Sequence, residues 1–185
     1  MGHFDVIARR YDRIFRYSGP EELLQALQPQ PGDLVLDVGG GTGRVSGTFG
    51  RELHVVVCDP APLMLNEAQD KGLHVCASVA EHLPFADHSF RRVILVDAFH
   101  HLIEQRKAAS ELVRVLAPGG RLVVEEPDIR QVVVKVAALL ERLLGVRSRF
   151  FSPADMVRIF QAAGASIESA QEGLGTNVRV VIGGG

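Results

Sequence analysis

The sequence predicts an α/β protein with one doubly wound sheet, mostly parallel, helices on both faces and a C-terminal antiparallel hairpin. Two observations carry this prediction. Short apolar runs alternate with longer amphipathic stretches from residue 34 onward, which is the βαβ pattern of a parallel sheet. A glycine-rich turn follows the first run, at the sheet edge where such folds bind ligands. The 185 residues suffice for one domain with a full core.

Five apolar runs predict the parallel strands of this Rossmann-like sheet, and two later runs predict the hairpin. The parallel strands are Leu34–Val38, His54–Cys58, Leu73–Ala77, Val93–Val96 and Leu122–Glu125. The hairpin pairs Ser166–Ala170 with Asn177–Ile182, and the three glycines at 183–185 are interpreted as a frayed tail.

Helices are predicted between these strands from their caps and stops. Leu63–Lys71 ends at Gly72, and Arg106–Leu116 stops at the turn Ala117-Pro118-Gly119-Gly120. Further helices are predicted at Glu21–Leu27, at Arg130–Leu144 and from Ser152-Pro153 to Gly164.

The first thirty residues are expected to form a helical cap on the domain at 31–185. Phe4, Ile7, Tyr11 and Ile14 recur at three- and four-residue spacing, as in an amphipathic helix. Together with Tyr17 and the helix at 130–144, this segment can form a lid.

Composition excludes several classes of partner. The formal charge is −2 and there is no Lys/Arg block, so a nucleic-acid partner is unlikely. The longest apolar stretch, Val132–Leu144, contains three charged residues, and no apolar signal region opens the chain. We therefore expect no membrane span and a cytoplasmic protein, monomer or homodimer, whose Cys58 and Cys76 are buried thiols.

The most informative motif is the turn Asp37-Val38-Gly39-Gly40-Gly41-Thr42-Gly43. An acid two residues before the first glycine opposes a pyrophosphate but suits a cofactor that carries an ammonium and a sulfonium. The dinucleotide spacing also fails, because Arg44 and Ser46 stand where the third glycine would be required. The residues favour S-adenosylmethionine over NAD.

Four motifs in this order resemble the class I S-adenosylmethionine-dependent methyltransferases: the glycine turn, Asp59, the segment 81–90 and the turn 116–120. The opening segment 4–12 is similar to the small-molecule branch that includes quinone-biosynthesis C-methyltransferases. The resemblance implies S-adenosylmethionine as cofactor, S-adenosylhomocysteine as product and a small, largely apolar acceptor such as a phenol, quinol or enol.

The resemblance also implies roles for individual residues. Asp37 acts on the cofactor's amino group, Gly39, Gly41 and Gly43 allow close backbone approach, and Asp59 accepts the ribose hydroxyls. Asp59 can also cap the following helix. The other implied cofactor contacts are Tyr11, Gly40, Thr42, Pro60, Ala61, Met64, Ser78, Val79, Ala80, Glu81 and Asp97.

Two motifs leave alternatives open. Val79 replaces the acid that commonly binds the adenine amino group, so that contact must come from backbone, Ser78 or Glu81. After the fourth strand, His100 is the candidate substrate contact or general base, and a structural role for it stays equally open. The His100-His101 pair lacks metal-ligand spacing, so no metal is predicted.

The sequence is compatible with three functions. The first is methyl transfer to a small molecule. The second is an NAD(P)-linked oxidoreductase on a similar sheet, which lacks the third fingerprint glycine. The third is a non-catalytic binding or regulatory domain on the same fold, which the missing third-motif acid keeps open.

Overall fold

The computed structural model describes residues 12, 17, 19–143, 148–172 and 177–184. Most of the predicted N-terminal helix, including Tyr11, lies outside them. The strands are β1 Leu34–Val38, β2 His54–Asp59, β3 His74–Ala77, β4 Phe90–Val96, β5 Leu116–Pro127, β6 Ser166–Glu172 and β7 Asn177–Gly183. The helices are α1 Pro20–Leu27, α2 Pro62–Asp70, α3 Gln105–Val115, α4 Val132–Leu143 and α5 Pro153–Ala162, with 3₁₀ turns at Ser46–Thr48 and Phe99–His101.

These strands form one sheet in the order β3-β2-β1-β4-β5-β7-β6. The first five are parallel, and β7 runs antiparallel to both β5 and β6. The predicted fold class is confirmed. From β1 the chain first builds outward to β3 and then returns to β4 on the other side of β1, so the order reverses between β1 and β4. Open α/β sheets bind ligands at the carboxyl ends of such a pair of strands.

Alternate residues of the strands face opposite sides of the sheet, and both sides are covered by helices. On one side Leu36 lies in a core with Leu112 of α3. On the other side Val35 lies in a core with Leu23 of α1 and Leu65 of α2. Part of the predicted cap, α1, therefore packs into this second core, and the division at residue 30 stays a prediction.

The strand β5 begins earlier than the sequence pattern predicts. Leu116 already pairs with Phe90, and Arg121 pairs with Arg92, so residues 117–120 bulge out within the pairing. The sequence predicted a turn at 117–120 and a strand from Leu122, whereas the structure includes this turn within β5. The left-handed φ of +67° at Gly119 gives the bulge its shape.

Gly183 is part of the sheet and Gly184 is hydrogen-bonded to β5, against the prediction of a frayed tail. Gly183 ends β7, and Gly184 exchanges backbone hydrogen bonds with Gly119 and Gly120 at 3.2 and 2.9 Å. A Cβ on Gly184 would lie 2.2 Å from the Ala117 carbonyl oxygen. Only glycine fits this close approach.

The start of α5 agrees with the sequence. The Ser152 Oγ accepts the backbone N–H of Asp155 at 3.2 Å, and the Asp155 carboxylate accepts the N–H of Ser152 at 3.3 Å. Together with Pro153 in the first turn, this capping box fixes where the helix begins.

A buried ion pair joins β5 to β7. Glu125 and Arg179 stand opposite each other in the antiparallel register and are 1% and 4% exposed. Two guanidinium nitrogens of Arg179 donate to the same Glu125 oxygen at 2.9 and 2.7 Å. The Glu125 carboxylate also accepts from Tyr17 and Asn177. This pair therefore anchors β7 and also holds the hydroxyl of Tyr17.

We predict that Arg179→Leu lowers the free energy of unfolding by about 3–5 kcal/mol, because it leaves the Glu125 carboxylate buried without its cation. The double variant Glu125→Met/Arg179→Leu should recover more than half of that loss, since it removes both charges. Urea denaturation of the three proteins measures both effects. A double variant no more stable than Arg179→Leu would contradict the explanation.

Candidate functional site

A cavity of about 210 Å³ lies at the carboxyl edge of the sheet, where β1, β2 and β4 end. Its polar lining comes from Asp37, Arg44, Asp59, Asp97 and His101, with backbone of Gly39, Gly40 and Gly41. Its apolar lining comes from Val45, Pro60, Ala61, Met64, Val96, Ala98 and Leu102. The cavity thus sits at the switch point of the strand order.

The glycine turn forms one wall of this cavity because side chains cannot fit there. Gly39 and Gly41 have left-handed φ angles of +69° and +54°. A Cβ on Gly39 would lie 2.6 Å from the Ala98 Cβ, and one on Gly40 would lie 2.5 Å from the Asp37 carboxyl. The bare backbone of this turn is therefore free to approach a ligand closely.

Asp37 is the most unusual residue of the site. Its side chain lies under the glycine turn, the residue is 1% exposed, and its Oδ2 has no hydrogen-bond partner among the described residues. Burial raises the pKa of Asp37 to about 6. A buried carboxyl with an unsatisfied oxygen fits a ligand that brings a cation or a hydrogen-bond donor.

Asp59 ends β2 and organises the adjacent loops. Its Oδ2 accepts the backbone N–H of Gly41 at 3.0 Å, and its Oδ1 accepts the N–H of Ala61 at 2.8 Å. A carboxylate has about four lone-pair sites, so an acid that accepts backbone N–H groups can also accept ligand hydroxyls. Capping and ligand binding are compatible here.

The sequence analysis missed Arg44 as a site residue. Its guanidinium donates to the Asp97 carboxylate at 2.9 Å and lies 5.6 Å from the centre of the Tyr17 ring. Asp97 adopts a left-handed φ of +52° at the end of β4. Burial, together with the nearby Glu126 carboxylate, raises the pKa of Asp97, and Arg44 opposes that rise. The sequence signal for this role was the position of Arg44 directly after the glycine turn.

Thr42 and Gly43 belong to the same turn but do not line the cavity. The Thr42 hydroxyl donates to Asp12, and the Lys71 ammonium contacts both Asp12 and the Thr42 carbonyl. A Cβ on Gly43 would lie 2.3 Å from Leu73. These two residues hold the turn in place, and the predicted cofactor contact of Tyr11 lies outside the described residues.

The third motif lies apart from the cavity lining. The Ser78 hydroxyl donates to the backbone carbonyls of Val79 and His82, and Val79 is 42% exposed. Ala80 is buried, while Glu81 accepts the N–H groups of residues 103 and 104 at the start of α3. The side chains of Ser78 and Glu81 therefore hydrogen-bond to backbone groups outside the cavity. Their predicted adenine contacts have no support from the geometry.

Of the two neighbouring histidines, only one lines the cavity. His100 is 5% exposed, does not line the cavity, and holds the Glu126 carboxylate at 2.5 Å through its Nδ1. His101 lines the cavity instead. Both belong to a 3₁₀ turn, in which successive side chains point about 120° apart. The prediction of His100 as the substrate-facing residue thus conflicts with its placement.

The residues present fit S-adenosylmethionine. The unsatisfied Asp37 oxygen suits an amino group, the Asp59 carboxylate suits ribose hydroxyls, and Pro60, Ala61 and Met64 offer an apolar surface for adenine. Among the described residues, no group of three or more His, Cys, Asp or Glu side chains could hold a metal ion.

Comparison with known proteins agrees with this geometry. Residues 36–124 match the family model of the methyltransferase domain. The demethylmenaquinone methyltransferase of Thermobifida fusca is 36% identical over 138 residues, which cover 66% of this chain and 58% of that protein. The ubiquinone/menaquinone biosynthesis C-methyltransferase of Vibrio cholerae is 36% identical over 109 residues, 52% of this chain and 42% of the relative. The chain spans about half the length of these curated relatives.

A solved S-adenosylmethionine-dependent methyltransferase of Thermotoga maritima shares the fold, with a TM-score of 0.82 at 21% identity over 98% of both chains. The strand order, the glycine turn over a buried acid and the matched domain agree with one another. Residues 36–124 are therefore similar to a methyltransferase domain, the chain has the class I S-adenosylmethionine-dependent methyltransferase fold, and the residues of its site fit S-adenosylmethionine.

Proposed function

We propose that this protein transfers the methyl group of S-adenosylmethionine to a small, largely apolar acceptor such as a phenol, quinol or enol. The observation that carries the proposal is the cavity at the switch point, with the unsatisfied Asp37 carboxyl under its glycine wall. The relatives named as quinone-biosynthesis methyltransferases support the acceptor class.

The charges of the cavity support this cofactor over a dinucleotide. The carboxyl groups of Asp37, Asp59 and Asp97 face the single guanidinium of Arg44 among the lining residues. Such a lining attracts a ligand that carries a sulfonium and an ammonium, and it repels a pyrophosphate.

When bound, S-adenosylmethionine supplies a methyl carbon that its positive sulfur already activates. The protein's task is then to hold this carbon and the acceptor in line and to exclude water. Asp37 holds the amino group, Asp59 holds the ribose, and Arg44 stands within the cavity as a partner for the carboxylate of the cofactor.

The space beside the cavity offers a route for the acceptor. A groove of about 1500 Å³ lies between the start of α3, α4 and α5, and its lining combines apolar side chains such as Phe150 and Phe151 with charged ones such as Arg106 and Arg149. Leu102 lines the cavity and its neighbour Ile103 lines the groove, so the two spaces meet at this point. An acceptor could reach the cofactor along these side chains.

The proposal includes the cellular setting. Cys58 and Cys76 are register partners on β2 and β3, and both are free thiols, as is usual in a reducing compartment. Burial raises the pKa of Cys58 to about 12, so its thiol is unreactive. Among the described residues no helix is long and apolar enough to cross a membrane. We propose a cytoplasmic monomer or homodimer that does not bind nucleic acid.

We predict that affinity for S-adenosylhomocysteine falls as the pH is lowered through 6. The cofactor-free protein then protonates Asp37, whose pKa is about 6, and the amino group loses its anionic partner. The loss should approach about tenfold for each pH unit below 6. Calorimetry from pH 5 to 8 measures it, and Asp37→Asn should bind weakly with a flatter profile.

Ionisation of Asp37 favours cofactor binding, but it should make the cofactor-free protein less stable. The folded-state pKa of Asp37 lies above the ordinary aspartate value of 3.8, so ionisation costs folding free energy as the pH rises from about 4 to 6. At pH 7.5 the cofactor-free Asp37→Asn variant should be about 2–3 kcal/mol more stable than the wild type. Urea denaturation tests this. Equal or lower stability of Asp37→Asn would show that the ionised Asp37 carboxylate does not lower the free energy of unfolding.

A further prediction concerns Asp59. Asp59→Ala should weaken S-adenosylhomocysteine binding by about 1.5–3 kcal/mol, the range for hydrogen bonds to a charged group. The control is Asp33→Ala, which removes a carboxylate at the opposite edge of the sheet, where it contacts Arg92 and Gln30. Unchanged affinity in Asp59→Ala would remove this residue from the site.

The acceptor class is tested by transfer of radiolabelled methyl groups to phenols, detergent-solubilised quinols, tRNA and a peptide mixture. We expect incorporation into a phenol or quinol. Incorporation confined to the macromolecules would contradict the small-molecule acceptor. Cofactor binding without incorporation anywhere would support a non-catalytic domain on this fold.

A further inference from the structure

We infer that the methyl acceptor combines an apolar ring with an anionic oxygen group, a carboxylate or a phosphate, and that Arg106 and Arg149 bind this group in the groove beside the cofactor cavity. This inference rests on the proposed function and narrows its acceptor class. It assigns a binding role to two arginines that belong to none of the sequence motifs.

The charged residues of the groove are mostly cationic. Its lining includes four cations and two acids: Arg106, Lys107, Arg149, Arg158, Glu104 and Asp155. Each acid pairs with the cation three residues later, Glu104 with Lys107 and Asp155 with Arg158. Arg106 and Arg149 are exposed, and neither forms an ion pair with any residue that the structure describes. Their guanidinium groups are therefore accessible to an anionic ligand.

Arg149 lies where the groove meets the cavity. Its backbone N–H donates to the His100 carbonyl at 2.7 Å, in the turn that follows β4. The preceding residue, Ser148, lines the groove, and its hydroxyl lies 3.1 Å from Nδ1 of His101, which lines the cavity. The segment that carries Arg149 is therefore hydrogen-bonded to the edge of the cavity.

Arg106 follows the same junction on α3. Leu102 lines the cavity, Ile103 lines the groove, and Arg106 comes three residues later in the first turn of the helix. The start of this helix is fixed, because the Glu81 carboxylate accepts the backbone N–H groups of Ile103 and Glu104 at 3.0 and 3.2 Å. The two arginines thus belong to separate segments, and each segment is held beside the cavity.

Two phenylalanines give the groove an aromatic wall directly after Arg149. Phe150 stacks on the His100 ring, with ring centres 4.6 Å apart and planes 15° from parallel. Phe151 packs on the fully buried Phe99, with ring centres 5.6 Å apart. Rings held in this way offer a fixed surface to the ring of an acceptor. The groove therefore presents an apolar surface and a cation side by side.

The charges of the two spaces orient such an acceptor. The cavity lining has three acids and one arginine, namely Asp37, Asp59, Asp97 and Arg44, whereas the groove has more cations than acids. An anionic group is therefore repelled by the cavity and attracted by the groove. The uncharged end of the acceptor then enters the cavity and receives the methyl group, while the anionic group stays in the groove and is not methylated.

Binding measurements test the anionic group without turnover. The protein is saturated with S-adenosylhomocysteine and titrated, by ¹⁹F NMR, with a fluorinated hydroxybenzoate, its methyl ester and a fluorinated hydroxyphenyl phosphate. We expect one anionic probe to bind at least about tenfold more tightly than the neutral ester, since guanidinium groups bind carboxylate and phosphate oxygens through charge-assisted hydrogen bonds. The tighter of the two anions identifies the group. If neither anion binds more tightly than the ester, the inference is wrong.

Variants test the two arginines. Arg106→Gln and Arg149→Gln should each weaken binding of the preferred anion about tenfold, with the affinities for the ester and for S-adenosylhomocysteine within about twofold of wild type. Arg149→Lys should keep part of the affinity, because the charge remains. The matched control is Arg51→Gln, which removes an exposed arginine from the turn before β2, at the opposite edge of the sheet. Anion binding that is equal in wild type and in both glutamine variants would contradict the assignment.

Transfer of radiolabelled methyl groups separates this inference from the proposed function. We expect the anionic phenol to have a higher kcat/KM than its neutral ester, and each glutamine variant to raise KM for the anionic phenol alone. A protein that binds S-adenosylhomocysteine but methylates no small molecule would overturn the proposed function and this inference with it. Methylation of neutral phenols as efficiently as anionic ones would overturn the inference alone.

Discussion

The close approach of two backbone turns is the constraint on which this site depends. The turn after β1 and the turn after β4 meet so closely that a Cβ on Gly39 would lie 2.6 Å from the Cβ of Ala98. The first turn is held by a bond from the Gly39 N–H to the Cys58 carbonyl at 2.7 Å, and the second by the Glu126 carboxylate. The shape of the cavity, the charge of its lining and the side that meets the groove all depend on how these two turns are held.

Two consecutive acids of β5 serve different sides of the sheet. Glu125 pairs with Arg179 on the side where Tyr17 lies, and Glu126 holds the histidine turn on the other side. Because successive strand residues face opposite ways, a single strand can secure the antiparallel edge and the site together. Neither acid belongs to a recognised motif, yet each is almost fully buried and hydrogen-bonded.

Sequence patterns predict most of this fold because its strands are buried on both faces. The strand Leu34–Val38 is found with its predicted bounds, and the capped start of α5 agrees with Ser152 and Pro153. The bulge at 117–120 could not be predicted, since it depends on the pairing of Leu116 with Phe90, which is distant in the chain. Motif residues whose role is set by backbone, such as Gly39, were predictable. The choice between His100 and His101 was not, because a single turn of 3₁₀ geometry decides which ring meets the cavity.

The buried carboxyl of Asp37 has a consequence for the lifetime of the protein. Its ionisation is unfavourable in the folded chain until a ligand supplies the missing partner. Ligand binding stabilises a native state by about 2.7 kcal/mol at a hundredfold excess over Kd, and a bound cofactor would also give the Asp37 carboxyl a partner. We therefore expect a smaller fraction of chains to be open to proteases when the adenosyl cofactor is bound.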